Sequence, residues 1–436
     1  MNPDKFFAPA LLIFLTAIAW PLSAGAQGRV IVVPINGAIN PVVADFVSEE
    51  IREANLNQEE LLVIQMDTPG GLDTAMRQII KAIQDSRVPI AVFVGPSGSR
   101  AASAGTFITL ASHVAAMAPG TNIGAAHPVN LMGGGGGDEQ SKTMEEKVAN
   151  DAAAYIRSLA EQRGRNAYWA EMAVRKSQSI SAEEAKKLGV IDLIANDLAA
   201  LILAVEGREV TINSVPIVIH TEGREISHRE MTQRQKILDI ISNPNVAYIL
   251  MMLGLVGLYF ELSNPGLILP GVIGGISLIL ALYAMQTLPI NYAGLLLILL
   301  GIVLFIAEIN VMSFGLLAVG GGISILLGSL MLMDTDDPAL QISKSVLIPT
   351  AAFFLLVVVG IIYLARQSHK MKSVAGWEAL IGAVGVVKAE IDPEGTILVH
   401  GEIWNAESEQ PVPVGEKVTV EAIDGLKVKV KRLEQT

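Results

Sequence analysis

Between Asn245 and Ser343 the chain carries no Lys, Arg or His, and long apolar runs fill most of that stretch. A soluble core cannot absorb so much apolar sequence, so the stretch is expected to lie in a bilayer. Five spans are expected, over 246–262, 266–285, 290–308, 314–333 and 346–366, within a membrane domain of 244–368. The glycines Gly320, Gly321, Gly322 and Gly328 are read as points of close helix packing. Glu308, at the end of the third span, is read as a solvated interfacial residue, with an ion or proton site as the other reading.

Charge sets the expected topology. Arg366, His369, Lys370 and Lys372 follow the last span and mark a cytoplasmic end, whereas the acidic loop from Asp334 to Ser343 fits outside. Arg224, Arg229, Arg234 and Lys236 oppose this locally, but large exported domains override nearby charge. The N-terminus agrees: Lys5, the apolar stretch from Phe6 to Ala19 and Ala24-Gly25-Ala26 read as a secretory signal over residues 1–26. The expected location is thus the cell (inner) membrane, multi-pass, with the first domain extracytoplasmic and the last cytoplasmic.

Composition narrows the function. A net charge of -12 disfavours nucleic acid, because no basic surplus neutralises phosphates. The absence of Cys excludes disulfides and thiol catalysis. Six scattered His residues show no metal-ligand spacing, so neither metal nor cofactor is expected.

Residues 27–225 read as an α/β domain, followed by a linker over 226–243. Val30–Ile35, Leu61–Met66 and Pro89–Val94 are short apolar runs of the kind that form buried parallel strands. Helical spacing over Pro41–Ala54 and Asp73–Asp85, and a helix from Ser103 to Ala111, alternates with them. Two loops carry chemistry. Asp67-Thr68-Pro69-Gly70-Gly71 can aim bare backbone N–H groups at a ligand oxygen, since paired glycines have no Cβ in the way. Gly95 to Gly105 is built almost wholly of small residues and puts Ser103 at a helix start, where dipole and free N–H groups favour developing negative charge. A hydroxyl beside Gly70, Gly71 and Ala104 has the parts of an acyl-transfer site: nucleophile and oxyanion hole. The other reading makes Ser103 a helix N-cap and the glycines turn residues.

The segments Met66-Asp67-Thr68-Pro69-Gly70-Gly71, Ala102-Ser103-Ala104-Gly105, Ser181-Ala182-Glu183-Glu184-Ala185 and Leu188-Gly189-Val190-Ile191-Asp192 resemble the ClpP/crotonase superfamily. Within it the chain resembles the long form of the NfeD family, membrane proteases related to signal peptide peptidase A. The resemblance implies a crotonase fold, a Ser nucleophile with a Lys base, a stomatin-like membrane protein as substrate or partner, and a homo-dimer or larger assembly. The matching segment Glu146-Lys147-Val148-Ala149-Asn150 places the Lys at Lys147. A lysine serves as base only where burial lowers its pKa, and the Ala-rich run after Lys147 fits partial burial, against Glu145 and Glu146 beside it. The alternative base is His127, 24 residues after Ser103, as in the soluble ClpP peptidases. The position expected to hold an orienting Asp is here Ser177, which cannot stabilise an imidazolium. His113 and Lys142 remain further options, and Gly133–Gly137 reads as a mobile flap.

Residues 374–436 read as a small five-stranded barrel, with strand signals at Gly382–Ala389, Thr396–Ile403, Lys417–Ala422 and Leu426–Lys431. Gly401-Glu402-Ile403-Trp404-Asn405-Ala406 with Pro413 to Val418 resembles the OB-fold domain that ends NfeD proteins. Its 6 Lys and Arg face 11 Asp and Glu, which favours a protein over a polyanion as partner. The overall reading is a membrane-bound serine endopeptidase that cuts hydrophobic segments through an acyl-enzyme. The alternative is a non-catalytic membrane scaffold that binds peptides.

Overall fold

The computed structural model describes residues 28–128, 139–263, 268–286, 288, 290–311, 313, 315–333, 340–370 and 380–433. The expected signal segment, most of the acidic loop from Asp334 and the glycine run Gly133–Gly137 lie outside the described residues.

The chain opens with β1 (Val30–Asn36), α1 (Pro41–Asn57), β2 (Leu61–Asp67), α2 (Asp73–Gln84) and β3 (Ile90–Val94). There follow β4 (Arg100–Ala102), α3 (Ala104–Ala111), β5 (Val114–Met117), β6 (Asn122–Gly124), α4 (Glu139–Gln162), α5 (Ala167–Arg175), β7 (Ser179–Ser181), α6 (Ala182–Lys187), β8 (Leu193–Ile194) and α7 (Leu198–Val205). The hairpin β9 (Glu209–Ile212) and β10 (Val215–Val218), then β11 (Ile226–His228) and α8 (Gln233–Ile241), lead to the membrane helices.

Strands β11-β1-β2-β3-β5-β8 form one sheet, and every pairing in it is parallel. Parallel strands joined by helical crossovers are covered on both faces, so the uninterrupted apolar runs are what this sheet requires. One face shows the alternation directly: Val30, Val32, Leu61, Val63, Ala91, Phe93 and Val114 pack with Leu201, Ile202, Val205, Val210 and Ile212 of α7 and β9. Register sets Asn36 beside Asp67 and Met66 beside Val94, so the loops after β1, β2 and β3 leave the same edge. A second sheet of three short strands, β4-β6-β7, stands at that edge, bridged to it by Thr68 and Ala101.

The segment 226–243, expected to be a linker, is part of the fold. β11 adds to the sheet beside β1. α8 carries a capping box on Thr232 and Gln235. Arg229 pairs with Glu50 of α1 at 3.4 Å.

Five helices follow: α9 (Pro244–Ser263), α10 (Ile268–Met285), α11 (Tyr292–Asn310), α12 (Leu316–Met331) and α13 (Lys344–Lys370). Pro244–Leu262 and Ile268–Met285 are long and apolar enough to cross a membrane by length and composition. Glycine sets the spacing of two antiparallel pairs. A Cβ on Gly274 would lie 2.9 Å from the Gly254 carbonyl oxygen, and one on Gly301 would lie 2.7 Å from that of Gly321. Among the glycines singled out earlier, Gly321 and Gly328 make such backbone contacts, whereas Gly320 does not. Glu308 differs from the solvated residue expected. It is buried, and it accepts from Ser313 Oγ and from the backbone N–H groups of Gly315 at 3.0 Å and Ala318 at 3.3 Å. Its carboxylate closes the turn into α12, where free helix N–H groups need an acceptor.

The C-terminal part is a closed barrel ordered β12 (Val384–Ala389), β13 (Glu394–Val399), β14 (Glu402–Glu407), β16 (Lys427–Arg432) and β15 (Lys417–Asp424). Val387, Ile397, Val399, Ala406, Val418 and Val428 fill it. The run Thr396–Ile403, read as one strand, is broken by a turn at His400 (φ 51°) and Gly401 (φ 87°). Positive φ at both central residues is the geometry of a tight hairpin, and it makes β13 and β14 neighbours.

The glycine contacts predict opposite effects for one substitution. Gly301→Ala drives a methyl into Gly321 and is expected to destabilise the α11–α12 pair by about 1–3 kcal/mol. Gly320→Ala meets only Leu304 Cδ1 at 3.7 Å and is expected to gain up to about 1 kcal/mol of helix propensity. Thermal unfolding of the detergent-solubilised protein, followed by circular dichroism, checks both signs.

Candidate active site

The loop after β2 is shaped by its glycines. Gly70 has φ +132°, and a Cβ there would sit 2.8 Å from the Ser103 Cβ. Gly71 is tighter still, since a Cβ would lie 2.2 Å from the Ile39 carbonyl oxygen. Only glycine lets this loop pass between the β1 end and Ser103.

Ser103 follows β4 and immediately precedes α3. Its backbone sits at φ 50°, ψ -115°, a sparsely populated region that costs a non-glycine residue on the order of 1–3 kcal/mol. The surroundings enforce it: Ser103 N–H donates to the Gly124 carbonyl and Thr106 N–H to the Ser103 carbonyl, both at 3.0 Å. Thr106 Oγ1 ties Ala101 and Gly124 together behind it, at 2.9 Å to each carbonyl. The side chain makes no capping bond to α3, so the N-cap reading is not the role the geometry gives it. Half-buried, Ser103 faces a cavity of about 450 Å³.

Lys147, on α4, lines that cavity with Ser103, Ala104 and Gly71. It forms no ion pair among the described residues. It is exposed rather than partly buried as expected. Within the described residues the N–H groups of Gly71 and Ala104 have no hydrogen-bond partner. Gly70 differs: its N–H donates to Thr68 Oγ1 at 3.1 Å. Of the three amides expected at the oxyanion hole, two are free, and Gly70 contributes space. Met76, Phe107, Val148 and Ala152 make the rest of the wall apolar. A hydroxyl, an unpaired amine, two free amides and an apolar recess are the components of acyl transfer to a peptide.

Comparison with known proteins shows the family. Residues 29–227 match the NfeD1b N-terminal domain, 245–366 the NfeD integral membrane domain, and 378–432 the NfeD-like C-terminal, partner-binding domain. The membrane-bound protease PH1510 of Pyrococcus horikoshii is 36% identical over 438 residues, covering 97% of both chains. The chain belongs to the NfeD family. A second family member, the membrane protein NfeD1b of Bacillus subtilis, is 26% identical over 98% of this chain and 99% of its own. Among solved structures, a lysine-to-alanine mutant of the 1510-N membrane-bound stomatin-specific protease, in complex with a substrate peptide, is 35% identical. That match covers 49% of this chain and 97% of the other, with a TM-score of 0.44. The expected architecture holds for this NfeD protein: a ClpP-like α/β domain, a helical membrane domain and a five-stranded barrel. It is a membrane protein.

Neither His127 nor His113 of this NfeD chain lines the cavity. His127 is half-buried and does not line it, although Ala126 and Pro128 do. The His127 ring is fixed at Nδ1 to the Val174 carbonyl at the end of α5, 2.9 Å away. Ser177 is exposed and offers it no carboxylate. His113 lies at the opposite edge of the sheet, buried, with Nδ1 accepting from Ile90 N–H at 3.0 Å. The side chain of Lys142 and the glycine run lie outside the described residues.

Two supporting groups were not singled out from the sequence. Arg165 is buried at the far end of α3 and donates to the carbonyls of Thr109, Leu110 and Ser112 and to Asp192 at 2.6 Å. A cation at a helix C-terminus complements the dipole whose positive end faces the cavity. Asp192 stood within a quoted motif, so a signal existed for that partner. Arg77 bridges Asp73 at 2.8 Å and Asp151 at 2.7 Å and lies 4.4 Å over the Tyr155 ring, fastening α2 to the helix that bears Lys147.

His113 makes a pH prediction. Burial, with the Arg163 and Arg165 cations second, lowers its pKa from 6.5 to about 3. Between those values the unfolded chain binds the proton that the folded chain refuses, so stability falls as pH drops through this window. The loss from this group is on the order of 4 kcal/mol. Denaturant titrations from pH 7 to pH 4 are expected to show a shallower slope for His113→Gln than for the wild type.

Proposed function

We propose that the protein is a membrane-bound serine endopeptidase working through Ser103 and Lys147. The observation that carries this reading is that Ser103, relieved of any capping role, shares one cavity with Lys147 and with the Gly71 and Ala104 amides, none of the three paired among the described residues. Ser103 Oγ attacks the scissile carbonyl carbon while Lys147 Nζ takes its proton. The carbonyl oxygen becomes an oxyanion held by the Gly71 and Ala104 N–H groups, aided by the N-terminus of α3. Collapse breaks the C–N bond, and Lys147 returns the proton to the leaving amine. Water, deprotonated by Lys147, then hydrolyses the acyl-enzyme and restores Ser103.

Met76, Phe107 and Ala152 suit an apolar side chain, which supports hydrophobic segments as substrates. The relative whose name includes stomatin specificity, and the match of residues 378–432 to a partner-binding domain, support a stomatin-like membrane protein as substrate or partner. The charge asymmetry around the membrane helices supports an extracytoplasmic protease domain and a cytoplasmic barrel.

The full chain in detergent, given a fluorogenic hydrophobic peptide, tests the roles. Ser103→Ala is expected to lower kcat by about ten-thousandfold, and Lys147→Ala by about a thousandfold or more. His127→Ala is expected to stay within about threefold of the wild type, since its ring faces Val174. Full activity in Lys147→Ala would reassign the base to His127, and full activity in Ser103→Ala would remove the reading altogether.

A further inference from the structure

The loop carrying Gly71 is held by Ile39 on both sides. Ile39 N–H donates to the Gly70 carbonyl at 2.8 Å, and Leu72 N–H donates to the Ile39 carbonyl at 2.9 Å. Ile39 is fully buried, and the contact leaves no room for a Cβ on Gly71. The position of Ile39 therefore dictates where the Gly71 amide points. The next residue, Asn40, is committed at both ends of its side chain. Its Oδ1 accepts from Val43 N–H at 2.9 Å, capping α1, and its Nδ2 donates to Asp239 Oδ1 at 2.7 Å. Asp239 lies on α8, two residues from its end, and α8 runs through Ser242 and Asn243 straight into the first membrane helix. The joint is loosely filled: a cavity of about 220 Å³ lies there, lined by Gly37, Asn40, Leu72, Asp239, Pro244 and Leu340. A polar strut across a void gives displacement of α8 a direct route to the start of α1, and the Arg229–Glu50 pair also ties the segment before α8 to α1.

We infer that Asn40 and Asp239 are positioning residues through which the stem of the membrane domain sets the Gly71 amide for catalysis. The inference rests on the reading of Gly71 as an oxyanion donor. A shift of α8 reaches Gly71 through one side-chain hydrogen bond and two backbone bonds. Tilt or packing of the first membrane helix thus sets how well the oxyanion is held, with no change in Ser103 or Lys147. The strut acts on turnover rather than on substrate binding, since the developing charge exists only after attack.

The test uses the full chain in lipid nanodiscs and an exchange of partners. Asn40→Asp keeps an acceptor for Val43 but loses the donor to Asp239 and adds a like charge. Asp239→Leu removes the acceptor without touching the α1 cap. Asn40→Asp combined with Asp239→Asn restores a hydrogen bond with donor and acceptor reversed. Each single variant is expected to lower kcat by about tenfold or more with KM little changed, and the pair to recover most of it. Hydrogen exchange at Gly70–Leu72 is expected to quicken in the single variants and return in the pair. Wild-type turnover or wild-type exchange in both single variants overturns the inference, as does a pair no better than Asn40→Asp alone. A Ser103→Ala protein that still hydrolyses peptide would sink the catalytic reading instead, while the exchange measurements still decide the strut.

Discussion

Parallel pairing of β1, β2 and β3 in a single register is the constraint on which this molecule's chemistry depends. With Asn36 beside Asp67 and Met66 beside Val94, three strands end at one edge. The loops that follow then crowd one another. Ile39 from the first presses on Gly71 of the second, and Gly70 presses on Ser103, which follows the third strand and the short β4. Each close approach is possible because one partner has no Cβ. An antiparallel sheet would have sent alternate loops to opposite edges and dispersed these groups.

Strain at Ser103 is paid for by the same crowding. A serine held at positive φ persists only where its neighbours over-determine it. Here the Gly124 carbonyl, the Thr106 side chain and the first turn of α3 do so. At the other end of α3, Arg165 gathers three carbonyls and Asp192. The helix is thereby fixed at both termini by groups outside it, with Ala104 of its first turn at the cavity.

Much of this was legible in the residues, and the exceptions have physical causes. The runs from Val30, Leu61 and Ile90 announced buried strands because they are apolar on both faces. The strands β4, β6 and β7 have three residues each and no period to read. The hairpin turn at His400 and Gly401 was hidden because the apolar residues Ile397–Val399 and Ile403 on either side of it read as one strand. β11 and α8 sat in a polar segment whose role depends on pairing with residues nearly two hundred positions away. Ser103 and Lys147 were singled out as candidates through motif and resemblance, and both line one cavity. The amide of Gly70 could not be assigned in advance, because only the folded loop brings Thr68 Oγ1 to it. Lys147 was expected to be partly covered by its Ala-rich helix, but Val148 and Lys147 both lie on the open side of α4. Glu308 looked like an end residue by position, and the turn at Gly315 folds back over it.

The backbone at Ser103 also limits which side chains could ever replace it. Positive φ is tolerated by unbranched side chains and resisted by β-branched ones, whose second substituent meets the neighbouring peptide. A cysteine fits this place as readily as the serine does. A threonine, though it carries the same hydroxyl, is shut out by conformation before its reactivity matters. At this position the main chain admits a thiol in place of the primary alcohol and resists a secondary one.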